Sequence, residues 1–122
     1  MEHKIVLGNT VPGGDGDYVI WRNGSGGTIE ILDIAVQSER GVGRGRMLME
    51  KLFAVINDNR KDNPLVFAIT RSSYPIAQQF YEHLGFRVVG VLRDFYTLSE
   101  GGGDGIMRVD AIMYGRSARG PI

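Results

Sequence analysis

A chain of 122 residues with 43% hydrophobic content can bury one real core, and the expectation is a single compact domain over residues 1–116 with a flexible tail at 117–122. The formal net charge of +0 gives no overall attraction for nucleic acid or an anionic membrane, so neither is expected as a partner. The absence of cysteine excludes disulfides, thiolate metal sites and a cysteine nucleophile, and two histidines make no ligand cluster, so no metal is expected. The first ten residues carry no apolar leader and no apolar run approaches a membrane span, which reads as a soluble, cytoplasmic protein.

Residues 4–7 open the chain as a short strand. Residues 8–17, with Pro12-Gly13-Gly14-Asp15-Gly16, read as a turn or loop. A second strand at 18–22, a turn at Asn23-Gly24-Ser25-Gly26-Gly27 and a third strand at 28–36 make an antiparallel meander the simplest layout. From Arg46 the apolar spacing becomes helical, with Leu48, Leu52 and Ile56 on one face and Met49 and Phe53 beside them. The helix ends in the polar stretch 57–61. Residues 65–70 are continuously apolar, as a strand buried on both faces would be, and the strand-helix-strand unit favours a right-handed parallel crossover. Pro75 suits the first position of a second helix, Ala77, Phe80, Tyr81 and Leu84 form its apolar stripe, and Gly85 suits its stop. Strands are expected at 87–92 and 106–114, with a long loop at 93–105 between them.

The join between the third strand and the first helix is the most informative stretch. Gly41, Gly43 and Gly45 stand at alternate positions there. Glycine permits positive φ and close backbone approach, and a helix start exposes amides at the positive end of the dipole. That geometry suits a phosphate or pyrophosphate. The spacing is not the G-x-G-x-x-G of dinucleotide folds, and no Gly-Lys-Ser/Thr comes after it, so it is not a P-loop.

Arg40-x-x-Gly43-x-Gly45 between a strand and a helix resembles the pyrophosphate loop of the GNAT N-acetyltransferases. Ala77-x-x-x-Tyr81-x-x-x-Gly85-Phe86 resembles the second hallmark segment of the same family, with Tyr74 where asparagine is usual. Val109-Asp110-Ala111-Ile112-Met113 resembles its last core strand, and Leu92-Arg93-Asp94-Phe95-Tyr96 the approach to its substrate loop. The resemblance covers residues 28–114. It implies an α/β fold of the acyl-CoA N-acyltransferase type, with a mixed, mostly antiparallel sheet around a central strand-helix-strand unit. The amino-terminal part is shortened, without the helical pair that family members usually carry after the first strand.

The resemblance also implies the chemistry. Acetyl-CoA would be the cofactor, its pyrophosphate on the amides of Gly41, Val42, Gly43, Arg44 and Gly45, with Arg40, Arg44 and Arg46 adding charge. The edge of Ile34, Ala35 and Val36 would take the pantetheine amides, where this strand splays from residues 65–70. Tyr81 would act as general acid toward the leaving thiolate, since a phenol stays protonated at neutral pH. A carboxylate, directly or through water, would remove the acceptor's proton: Glu30 first, Asp33 second. The base that ribosomal-protein acetyltransferases carry on the next strand falls at Ile69, so that solution is absent. The acceptor would be a small-molecule, peptide or protein amine met by the loop at 93–105, with Tyr96 as a wall, and a homodimer accords with family habit. Two other readings stand beside transfer: a non-catalytic acyl-CoA-binding or regulatory module of the same fold, and a structural domain without CoA.

Overall fold

The computed structural model describes residues 1–7, 16–36, 43–99 and 106–120. The chain divides into two compact units, Met1–Val66 with Ser117–Arg119, and Phe67–Arg116 with Gly120–Ile122. Six strands and two α-helices among the described residues place it in the mixed α/β class.

The first unit contains β1 (Glu2–Leu7), β2 (Asp17–Asn23), β3 (Ile29–Ala35) and α1 (Arg44–Asn59). The three strands form the expected antiparallel meander, ordered β1-β2-β3. One face is apolar: Leu7, Val19, Trp21, Ile29 and Ile31 are buried. The helical spacing of α1 matches it, for Leu48, Met49, Leu52, Phe53 and Ile56 are all buried and the helix packs against β1 and β2. Each such side chain contributes roughly 1.5–3 kcal/mol when fully removed from water.

A β-bulge interrupts β3. Trp21 stands opposite Ile31 but Ile20 stands opposite Asp33, so Leu32 is an extra residue. Cross-strand partners share a face, and Arg22 and Ile20 are two apart on β2. Their partners Glu30 and Asp33 therefore share one face, although a spacing of three in a regular strand would separate them.

Strand β4 (Leu65–Arg71) begins in the first unit and runs into the second. Val66, Ala68 and Thr70 are buried and Leu65, Phe67 and Ile69 half-buried, so the continuous apolar run hides an alternation. The second unit then contains α2 (Pro75–His83), β5 (Arg87–Ser99) and β6 (Ile106–Ser117), ordered β4-β6-β5. Pro75 opens α2, and Gly85, at φ 86°, ends it with its N–H on the Glu82 carbonyl.

Several boundaries differ from the sequence expectation, β1 starting at Glu2 and β6 running to Ser117 among them. The loop expected at 93–105 is strand as far as Ser99, because pairing with β6 resumes at Tyr96–Val109 after a bulge opposite Asp110. Asp94 takes φ 52° in that bulge and donates its N–H to Asp110 Oδ1 at 2.8 Å. Helix α1 begins at Arg44, two residues before Arg46. The expected tail is held as far as it is described: Ala118 is 1% exposed and donates its N–H to the Pro64 carbonyl at 2.9 Å. Arg119 bonds Asn63 Oδ1 through its backbone and the Arg60 carbonyl through its guanidinium. Residues 8–15 and 100–105, read as loops, lie outside the described residues.

Candidate active site

Of the expected pyrophosphate turn, Arg40, Gly41 and Val42 lie outside the described residues. From Gly43 onward the geometry is defined. Gly43 caps α1 at φ 80° and ψ 17°, a left-handed conformation that favours glycine. The helical ladder begins with the Met47 N–H on the Gly43 carbonyl at 3.0 Å, so the amides of Arg44, Gly45 and Arg46 precede it. Among the described residues no side chain caps them, and no acidic residue stands in the first turn. A sixteen-residue helix thus presents its positive end without an acidic residue of its own in the first turn. These residues fit a phosphate group. Behind the turn, Ile34, Ala35 and Val36 are half-buried at the end of β3.

Two of the expected phosphate cations are otherwise engaged. Arg44 directs its Nε at Asp17 Oδ2, and Asp17 is fully buried at the start of β2. A buried carboxylate needs a cation, and Arg44 supplies it. Arg46 is solvent-exposed and bonds Glu50 Oε1 at 3.2 Å, one turn along the helix. Among the described residues, the amides and dipole of α1 add positive character at this helix end.

On the face of β3 defined by the bulge, Glu30 Oε1 accepts from Arg22 Nε at 2.9 Å and lies 2.8 Å from Arg22 Nη2. Asp33 Oδ2 accepts the Tyr18 hydroxyl at 2.9 Å, and the Lys4 ammonium stands 4.6 Å from the Tyr18 ring centroid. The two candidate bases are therefore brought to one face and given different partners.

In the second unit Tyr81 is 6% exposed. Phe86 lies edge-on to it at 5.2 Å, Phe80 at 5.3 Å and Tyr114 stacks at 5.9 Å between ring centroids. Its backbone is fixed as well, since its carbonyl accepts from Leu84 and Phe86. Tyr114 is buried and donates to Glu82 Oε1 at 3.2 Å; burial above all, then the Glu82 charge and hydrogen bond, raises its pKa. Before α2, Gln78 Nε2 bonds the carbonyls of Arg71 and Ser72, while Tyr74, in the usual asparagine position, is 41% exposed. Tyr96 packs edge-on to Phe95 at 4.9 Å. Sequence reasoning did not single out Asp17, Tyr18 or Tyr114. Strand alternation gives Tyr114 a signal; for Asp17, beside a glycine-rich loop, there is none.

Among the described residues no group of three or more histidine, cysteine or acidic side chains could hold a metal, and no helix is long and apolar enough to cross a membrane.

Strand order within each unit, the helix opening from a left-handed glycine and the tyrosine helix together define a mixed α/β fold of the acyltransferase type. The model of the GNAT acetyltransferase family matches residues 12–86, and the chain belongs to that family, whose acyl donor is acetyl-CoA. The chain is similar to a protein from Desulfovibrio desulfuricans assigned to the GNAT family, with 25% identity, a TM-score of 0.73 and coverage of 96% of this chain and 69% of that one. It shares the fold of the ribosomal-protein alanine N-acetyltransferase of Escherichia coli, at 24% identity and a TM-score of 0.70 over 93% of this chain and 67% of that one. A GNAT acetyltransferase from Elizabethkingia anophelis solved with acetyl-CoA bound has the same fold, at 20% identity and a TM-score of 0.65 over 83% and 67% of the two chains. No curated protein sequence matches the chain.

Proposed function

We propose that this chain transfers the acetyl group of acetyl-CoA directly to a primary amine. The observation that carries the proposal is the start of α1: left-handed Gly43, the Gly45 and Arg46 amides before the ladder, and no acidic residue in the first turn. Those amides, with Gly41, Val42 and Arg40 before them, hold the pyrophosphate. Ile34, Ala35 and Val36 offer backbone groups to the pantetheine arm. Bound there, the cofactor supplies an activated acetyl thioester.

The chain's own residues manage the protons. Tyr81 keeps a proton on its phenolic oxygen for the departing sulfur, in a ring cluster that holds the side chain in one place. Primary alkylamines, with a pKa of about 10.4, are charged at neutral pH and must lose a proton before attack. A carboxylate of β3 takes it, Glu30 or its neighbour on the same face, Asp33. The acceptor is a small-molecule, peptide or protein amine.

Thermal melting with acetyl-CoA tests the first half: the midpoint rises with ligand concentration. Release of free thiol from acetyl-CoA over a panel of polyamines, aminoglycosides, amino acids and peptide amino termini tests the second. A rise in midpoint with no thiol release from any amine establishes an acyl-CoA-binding module in place of an enzyme. No rise at millimolar acetyl-CoA overturns the whole reading.

A further inference from the structure

We propose that Asp33, aimed by the Tyr18 hydroxyl, is the group that receives the acceptor's ammonium and takes its proton, and that Lys4 stands against the same ring in the free protein. The proposal rests on the amine-acceptor reading above and names the residue within it.

Three observations separate Asp33 from Glu30. The first is charge. Glu30 faces a guanidinium whose Nε and Nη2 both approach Oε1 within 2.9 Å, so its negative charge is already offset. Asp33 accepts from a neutral phenol at 2.9 Å, which orients the carboxylate without cancelling it. The second is access. Asp33 is exposed, whereas the Glu30 side chain is only 19% exposed. The third is position. Asp33 directly precedes Ile34, Ala35 and Val36, the segment assigned to the pantetheine arm; Glu30 lies about 7 Å further back along the ladder, the two-residue step between the partners Arg22 and Ile20 at roughly 3.3 Å per residue.

A fourth observation shows that the place accepts an ammonium. Lys4 reaches across from β1, the strand next to that of Tyr18, and its Nζ lies 4.6 Å from the Tyr18 centroid, within cation–π range. The ring is thus flanked by a carboxylate on its hydroxyl and a primary ammonium on its face. An incoming alkylammonium finds the same ring and the same carboxylate. The step balances simply. One N–H bond of the ammonium breaks, an O–H bond forms on Asp33, and the nitrogen keeps the electron pair with which it attacks. The charged neighbours on this face are Glu2 and Lys4 from β1, Arg22 from β2 and Glu30 from β3.

The test is a titration of isotope-labelled protein with n-butylammonium chloride, monitored by amide and side-chain NMR signals, in the absence of acetyl-CoA. Binding is expected to shift Tyr18 and Asp33 first. Asp33→Asn keeps an acceptor for the Tyr18 hydroxyl but removes the charge, and weakens binding about threefold to fivefold. Lys4→Met removes the resident cation and tightens it about twofold. No shift at Tyr18 or Asp33 in the wild type, an unchanged affinity in Asp33→Asn, or a greater loss in Glu30→Gln than in Asp33→Asn overturns the proposal. Each of these results is read without cofactor. A protein that binds acetyl-CoA but fails this titration loses only the Asp33 assignment, and one that passes it but ignores acetyl-CoA keeps Asp33 as an ammonium site and loses the transferase reading together with the proton transfer to Asp33.

Discussion

Asp17→Asn removes a fully buried carboxylate of the first unit while keeping its shape. Asp17 is 0% exposed and its partner Arg44 has a side chain 19% exposed. Breaking a fully buried ion pair costs about 3–5 kcal/mol, most of it from the charge left without a partner. Here the charge that loses this carboxylate is the guanidinium, which keeps some water, and the new amide still accepts one hydrogen bond. The expected loss is therefore about 2 kcal/mol, a sizeable share of the roughly 5–15 kcal/mol that holds a domain folded. Urea unfolding of the wild type, Asp17→Asn, Arg44→Gln and the double variant measures it. A coupling energy of at least about 1 kcal/mol between the two positions is expected, because they touch. The pair also sets where α1 begins, so the single variants weaken acetyl-CoA binding as well. A loss below about 0.5 kcal/mol, the ordinary range for surface changes, or no coupling, refutes the view that a buried pair anchors this helix.

Three further outcomes are expected. Tyr81→Phe lowers turnover on a working acceptor about a hundredfold and leaves acetyl-CoA affinity within about twofold, as loss of a general acid should; unchanged turnover removes the assignment. Gly43→Ala, at φ 80°, costs about 1–2 kcal/mol in urea unfolding and weakens acetyl-CoA binding, whereas Gly90→Ala, whose added Cβ meets only Met113 at 4.0 Å, stays near the wild type. The pKa of Tyr114 is raised on folding, so its contribution to stability is fully present below about pH 10 and is lost as pH rises through the raised value. Absorbance titration should show a tyrosine ionising later than its unfolded counterpart. Tyr114→Phe abolishes that late step and Glu82→Gln brings it earlier.

Much was legible in the residues because it is local. The apolar spacing of Leu48, Leu52 and Ile56 specifies a helix face, and every member of that face is buried. Pro75 and Gly85 bracket α2 because one lacks an N–H and the other lacks a Cβ. Gly43 reads as a turn residue for the same reason. What was misread depends on partners distant in sequence. Arg93 to Ser99 carries no stronger strand signal than a loop; it is strand because β6 supplies a ladder on which pairing resumes. Ala118 and Arg119 look like a tail and are held by Pro64, Asn63 and Arg60.

The residues by themselves determined the kind of chemistry: a helix start open to anions, a tyrosine on an amphipathic helix, and no thiol to compete with them. Only the tertiary structure decided which charges remain at liberty. It spent Arg44 on Asp17 and Glu30 on Arg22, and one bulged residue, Leu32, turned Asp33 onto the face of Glu30. Backbone conformation and helical periodicity are written in neighbouring side chains, whereas the pairing of charges depends on which strands lie side by side and in what register.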